Sequence, residues 1–404
     1  MFKCNLKQIF ISLAASLLVV IMPPVVGLAY GTAGVVEGNN QFAFELFNRI
    51  NYVEGDKNIF ISPVSLSTAL GITYAGSRGT TAKQMADTMH FTLPQTEMQQ
   101  GFSSLLAAFG SDGKSYQLKL ANALWGQEKY RFDPDFVSLI DNSYGGGFRT
   151  VDFINNREVS RQTINSWVAE KTADKIQELL LADDLSMDTK LVLTNAVYFK
   201  GAWTAPFKQE QTLLNHPFQI RPGEMVAVPM MWQTSEFRYA MTKEAQLVEL
   251  PYEGDELSMV VLLPNSTLEE LAGSLAPELV RSWLEQLKPE GLTVFLPKFK
   301  IEARYYLEEQ KFLPAMGIID AFSKRDADFS GMTGHNDLYI AHVIHQAVIE
   351  VNEAGSEATG ATAVVMDSKS AMSIFRADKP FLFMIMHKPT GSILFMGKVN
   401  NPVG

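Results

Sequence analysis

Residues Gly355 to Ser370 read Gly-Ser-Glu-Ala-Thr-Gly-Ala-Thr-Ala-Val-Val-Met-Asp-Ser-Lys-Ser, and apart from Glu357 the first nine are small. The stretch lies between two strand-like runs, Val343 to Val351 and Phe381 to Met386, where an ordinary connection takes about 4–6 residues. Its alternation is that of a half-buried strand. Ser356, Ala358, Gly360, Thr362, Val364 and Met366 form an uncharged set that grows from small to large. Glu357, Thr359, Ala361, Ala363, Val365 and Asp367 form the other set, which holds both acids. A central strand rarely begins with so little side chain. One physical account satisfies both observations: an exposed loop that can also become a strand, its small side chains letting it slip between strands already in place. A charge on the buried parity would stop it. The alternative is a surface loop whose parity is accidental.

The rest of the chain reads as one large α+β domain. It has 404 residues, 47% of them hydrophobic and 19% charged, with a formal charge of -10. That much apolar surface offsets the ordering entropy and excludes disorder. The acidic balance, with no Lys/Arg block, disfavours nucleic acid. No repeat or Pro/Gly/Ser linker divides the chain. Asn39 to Ile50 reads as helix, as does the stretch after Ser62-Pro63, a hydroxyl N-cap followed by proline at the first helical position. Arg157 to Leu181 reads as one or two amphipathic helices. Strand patterns cover Leu191 to Tyr198, two runs within Gln246 to Leu263 around Pro251-Tyr252-Glu253-Gly254-Asp255, Leu292 to Ile301, and Val343 to Val351, Phe381 to Met386 and Ile393 to Val399. Helices and strands mix without regular βαβ alternation.

At the N-terminus, Lys3 and Lys7 precede an uncharged run from Ile9 to Ala29. This is a signal-peptide pattern, so residues 1–29 are expected to be a leader cleaved near Ala29 or Ala33, leaving 30–404 as one domain. An uncleaved anchor is the alternative, against which Pro23-Pro24 argues. The single cysteine, Cys4, would leave with the leader. A secreted or extracytoplasmic protein without cysteine, prokaryotic in type, is the expectation. Such a chain can have neither cysteine catalysis nor a Cys-ligated metal. Asn265-Ser266-Thr267 is a glycosylation sequon for a host that uses it.

A search for an enzyme finds none. His342 and His345 fall on opposite faces if Val343 to Val351 is a strand, so they cannot share a metal. There is no Gly-x-Ser-x-Gly elbow, His-Glu-x-x-His or P-loop. Gly76-Ser77-Arg78-Gly79-Thr80-Thr81 and Gly145-Gly146-Gly147 read as turns. No cofactor or metal site is expected.

The chain resembles the serpins over essentially its whole mature length, from about Asn39 to Pro402. The resemblance is carried by Asn58-Ile59-Phe60-Ile61-Ser62-Pro63-Val64-Ser65, Leu193-Thr194-Asn195-Ala196-Val197-Tyr198-Phe199-Lys200-Gly201-Ala202-Trp203, and Val228-Pro229-Met230-Met231. It continues in Leu296-Pro297-Lys298-Phe299, the segment Val351 to Ala363, Asp378-Lys379-Pro380-Phe381, and Phe395-Met396-Gly397-Lys398-Val399. It implies three β-sheets, about nine helices and an exposed reactive-centre loop, here about 353–377. It also implies a protease trap: the target's serine attacks the loop, and the cut loop inserts into the main sheet before the acyl-enzyme can be hydrolysed. The native state is then held kinetically.

Residue by residue, the resemblance assigns the inhibitory hinge to Glu353, Gly355, Ser356, Ala358, Gly360, Ala361 and Thr362, with Ser356 as the first side chain that must be buried. Ala354 departs from the charged residue often found there. Family members place the scissile bond about sixteen residues after the hinge glutamate and about twelve before the phenylalanine of Lys-Pro-Phe, and both counts reach Lys369-Ser370. Lysine there suits a trypsin-like target; cleavage at Met366 or Met372 by elastase-like or subtilisin-like proteases is the alternative. Ser62, Ser65, Asn195 and His345 match the cluster beneath the sheet centre, and Trp203 and Lys298 the top of the sheet, where Lys298 should approach Glu353. The expected partner is a serine protease bound covalently to a monomer. Thr96 to Phe109, where some relatives bind heparin, has no Lys or Arg, so polyanion activation there is not expected. A non-inhibitory serpin-fold binding protein is the reading from another class.

Overall fold

Apolar runs that alternate or run unbroken in the sequence become strands of two sheets. They appear in a computed structural model that describes residues 30–110, 114–145, 147–356 and 373–404. In chain order the strands are β1 (Ile59–Ile61), β2 (Tyr116–Gln127), β3 (Phe148–Val151), β4 (Leu191–Ala202), β5 (Leu213–Arg221), β6 (Glu224–Met241), β7 (Ala245–Pro251) and β8 (Leu257–Pro264). Then come β9 (Lys288–Pro297), β10 (Phe299–Tyr306), β11 (Ile340–Asn352), β12 (Gly355–Ser356), β13 (Ser373–Arg376), β14 (Phe381–His387) and β15 (Ser392–Val399). The helices longer than one turn are α1 (Tyr30–Glu54), α2 (Pro63–Gly76), α3 (Gly79–Met89), α4 (Gln95–Phe109), α5 (Pro134–Ser143), α6 (Arg157–Lys171), α7 (Leu268–Ser274) and α8 (Pro277–Glu285).

Six strands form the main sheet, in the order β10-β11-β12-β4-β2-β3. At its centre β11 and β4 pair directly and in parallel from Ile340 to Val348, and the short β12 wedges between their upper ends, antiparallel to both. The other nine strands make one hydrogen-bonded path, β1-β15-β14-β8-β7-β6-β9-β13, with β5 on the flank of β6. Of the three sheets implied by the resemblance, two form this one hydrogen-bonded path, joined by β6. Its 18 residues pair first with β5 and β9 and then with β7.

Helix α2 is buried along its whole length, so its sequence is apolar or small on every side. Proline does open it, but the Ser62 hydroxyl caps nothing and instead donates to the Leu394 carbonyl at 2.8 Å. Helix α6 lies on the main sheet through Ile164 and Val168, which pack with Ala121, Ala123, Trp125, Val192, Ala196, Ile344 and Val348. It is a single helix that stops at Lys171, not at Leu181 as its pattern suggests. Ala173 and Asp174 take positive φ, and the Asn165 side chain accepts from the Leu179 and Leu180 amides at 3.1 and 2.8 Å, which satisfies that backbone without a helix. Of Gly76 to Thr81, read as a turn, only Ser77 and Arg78 form the junction between α2 and α3, and Gly79 to Thr81 open α3.

Candidate functional site

Two groups of side chains meet where β4 and β11 must separate if a strand is to enter. The lower group lies beneath the sheet centre. His345 on β11, Asn195 on β4 and Asn122 on β2 stand in one row across the sheet. Ser62 and Ser65, at the start of α2, sit under them. All five are essentially buried. The Ser62 amide donates to His345 Nε2 at 3.3 Å, and His345 Nδ1 bonds the Asn195 side-chain oxygen. Asn195 Nδ2 donates to Ser65 Oγ at 2.7 Å and to Asn122 Oδ1, and Ser65 Oγ donates to Asn122 Oδ1 at 2.9 Å. With one ring nitrogen accepting, His345 is the neutral Nδ1–H tautomer. Burial pushes its pKa down to about 3, and the Asn195 bond offsets this only in part. The four expected residues are therefore brought together, with Asn122 as a fifth. Only strand pairing identifies Asn122, since no motif marks it. His342, three residues earlier on β11, bonds Glu308 at 2.8 Å away from this cluster.

The upper group holds Glu353, Gly355 and Ser356, three of the residues expected to form the hinge. Glu353 forms an ion pair with Lys298 at 2.9 Å and accepts from the Thr212 hydroxyl at 2.7 Å. Burial acts to raise its carboxyl, but the Lys298 and Thr212 bonds outweigh it and hold the pKa below the usual value. The Trp203 amide donates to the Ala354 carbonyl at 3.0 Å, and its indole donates to the Asn352 carbonyl at 3.1 Å. Trp203 stacks on Tyr252, with ring centroids 4.6 Å apart. Gly355 has φ +144°, and a Cβ there would lie 2.1 Å from the Gly201 carbonyl oxygen. Ser356 is fully buried and shares a 2.8 Å hydrogen bond with the Tyr252 hydroxyl. Burial drives the Tyr252 phenol far above its ordinary pKa, so it stays a neutral partner.

Ser356 was expected as the first side chain to enter the sheet; it already stands between β11 and β4. Tyr252 and Thr212, its partner and that of Glu353, were not expected: the sequence places Tyr252 in a turn between two strands. Ala358, Gly360, Ala361, Thr362, Met366, Lys369, Ser370 and Met372 lie outside the described residues, as does the segment 1–29. Among the described residues no group of three or more His, Cys, Asp or Glu could hold a metal ion, and no helix is long and apolar enough to cross a membrane.

The arrangement is a sheet with its central seam opened by two residues at one end and hydrogen-bonded shut below. A family model described as "Serpin (serine protease inhibitor)" matches residues 37–402. Leukocyte elastase inhibitor of Xenopus tropicalis is 42% identical over 371 residues, 89% of this chain and 97% of that protein. The Homo sapiens leukocyte elastase inhibitor is 41% identical over 379 residues, 90% and 98% of the two chains. Among solved structures, human thyroxine-binding globulin with its ligand superposes with a TM-score of 0.85 at 30% identity, covering 93% of this chain and 100% of that one. The prokaryotic source expected from the leader finds no support, since these relatives are vertebrate proteins.

Proposed function

This chain belongs to the serpin family, whose members are described as serine protease inhibitors and not as enzymes, and we propose that it traps its target as a suicide substrate. The protease serine would attack a loop carbonyl beyond Ser356. An ester to the protease forms, the peptide bond breaks, and the new amine leaves with the proton taken from the serine. The freed segment would then continue β12 down the seam. It would replace the parallel contact of β4 with β11 by two antiparallel ones, the mode in which Gly355 and Ser356 already pair. The observation that carries this reading is the position of Ser356, small, uncharged and seated between the two strands.

For the target, the relatives named leukocyte elastase inhibitor favour an elastase-like protease cutting at Met366 or Met372. A second reading keeps Lys369-Ser370 and a trypsin-like protease, because counts from Glu353 and from Phe381 both arrive at Lys369. We further propose that residues 1–29 are a leader, that the mature chain is an exported monomer, and that it acts without a heparin-type activator.

The test is to mix residues 30–404 with elastase and with trypsin near equimolar and follow denaturing gels over time. A band at the summed mass supports the trap, and mass analysis of the released C-terminal peptide identifies the bond. Release at Met366 or Met372 with elastase upholds the first target, and a trypsin band lost in Lys369→Glu upholds the second. Cleavage by both proteases with no such band would overturn the trap and favour a serpin-fold binding protein.

A further inference from the structure

The strand that receives the far end of the loop presents an outward face that the trap alone does not explain. Ile374 and Arg376 on β13, Thr293 and Phe295 on β9, and Trp232 and Thr234 on β6 form two rows across three strands. One row is Ile374–Thr293–Thr234, and the other is Arg376–Phe295–Trp232. The alternating residues Phe375, Leu292, Val294, Leu296 and Met231 are wholly buried on the inner face, and Gln233 is half-buried there with its amide donating to the Ala205 carbonyl at 2.7 Å. The alternation therefore makes the six an outer surface.

An outer sheet face facing only water would be polar. This one is not. Ile374 is 54% exposed, Trp232 and Phe295 are half-buried and stack at 6.1 Å, and the Arg376 guanidinium lies 4.3 Å from the Phe295 ring centre. The Thr234 and Thr293 hydroxyls bond each other at 2.9 Å. No carboxylate among the described residues pairs with Arg376. Aromatic rings, an arginine and an exposed aliphatic side chain are the composition of an interface core, where such groups carry most of the binding energy.

We infer that this face is a second docking surface for the protease engaged on the loop, one that meets an apolar strip bearing a carboxylate opposite Arg376. The occupant follows from continuity. Ser373, the first residue of β13, comes directly after the proposed cleavage positions in the chain, so a protease held there is carried next to this sheet. The inference rests on the inhibitor reading and adds to it: the loop would select the residue cut, and the face would select which protease arrives.

The experiment uses pancreatic elastase and bovine trypsin with the full mature chain, and with Arg376→Glu, Arg376→Lys and Ile374→Asp. The association rate, the inhibitor consumed per protease trapped and the melting temperature are measured for each. For the protease trapped faster, the expected result is a rate lower by about tenfold in Arg376→Glu and Ile374→Asp. Arg376→Lys should recover part of the rate, the wild-type rate should fall with added salt, and the other two quantities should not move. Unchanged rates with intact trapping overturn the docking surface while leaving the inhibitor reading in place. A slower rate accompanied by more inhibitor consumed also overturns it, because the effect then lies in insertion. Binding of protease whose nucleophilic serine is replaced by alanine is measured in parallel; if wild type neither traps nor binds either protease, both readings fall.

Discussion

One methyl group at position 355 would be enough to push the hinge out of the sheet. Gly355 holds a positive φ and leaves no room before the Gly201 carbonyl, so Gly355→Ala meets both strain and overlap. The expected cost is about 1–3 kcal/mol, relieved by withdrawal of residues 355–356. Faster proteolysis of the loop in the variant would register that withdrawal, and a rate equal to wild type would contradict it. Ser356→Arg is a sharper probe. The native site is closed and offers one phenol, so a cation has no counter-charge there. The variant is expected to be cut as a substrate with at least about tenfold less complex formed, because an arginine that cannot enter stalls every residue behind it. Undiminished complex on a denaturing gel would contradict insertion. The small uncharged parity beginning at Ser356 was legible in the sequence because strand periodicity needs no tertiary information. Tyr252, its partner, was not legible, because its ring arrives from a different sheet.

At the scale of elements, the start of α2 is bolted to three strands through His345, and this bolt is sensitive to acid. The native pKa of about 3 lies below the unfolded value near 6.5. Between those pH values the unfolded chain binds a proton that the native state refuses. Stability is therefore complete above pH 6.5 and is lost as pH falls, by up to about 1.4 kcal/mol per pH unit from this group. His387, held down to about 4 mainly by burial and then by Lys114, adds to the same window. Denaturant midpoints between pH 7.5 and 4.5 should fall accordingly, and His345→Gln should flatten the fall by one proton's share. Equal slopes for wild type and variant would mean that His345 titrates normally. Helix α2 and strand β4 were readable as elements because each is long, apolar and ended by clear signals. The end of α6 was misread because Ala173, Asp174 and the Asn165 side chain, not periodicity, terminate it. Strands β1, β2, β3, β5, β6 and β13 were not read from the sequence at all. Edge positions and mixed burial blur their alternation, as in β5, where one residue of nine is buried.

For the whole molecule, the seam between β4 and β11 is an unfinished structure. Its parallel pairing and the buried polar row beneath it are exchanged for antiparallel pairing on both sides if β12 lengthens. Helix α6 lies over that seam and would have to give way if a strand entered it. Chain cut once in the loop is therefore expected to melt well above intact chain, since insertion would replace one parallel pairing by two antiparallel ones and so add backbone hydrogen bonds. Calorimetry of the two forms checks this, and equal melting temperatures would mean that no strand enters. The sequence by itself determined that the chain is an α+β domain of serpin type, with a hinge able to be buried and Glu353 matched to Lys298. The buriable hinge is written in residue size, charge and spacing along one segment, while the serpin type and the match of Glu353 to Lys298 come from the family resemblance of motifs spread along the chain. Only the tertiary structure decided that Ser356 is already inside, that Asn122 completes the polar row, and that Trp203 and Tyr252 close over the hinge. Each of those depends on side chains brought together from strands far apart in the chain, and strand periodicity records which face a residue takes but not which neighbour it meets.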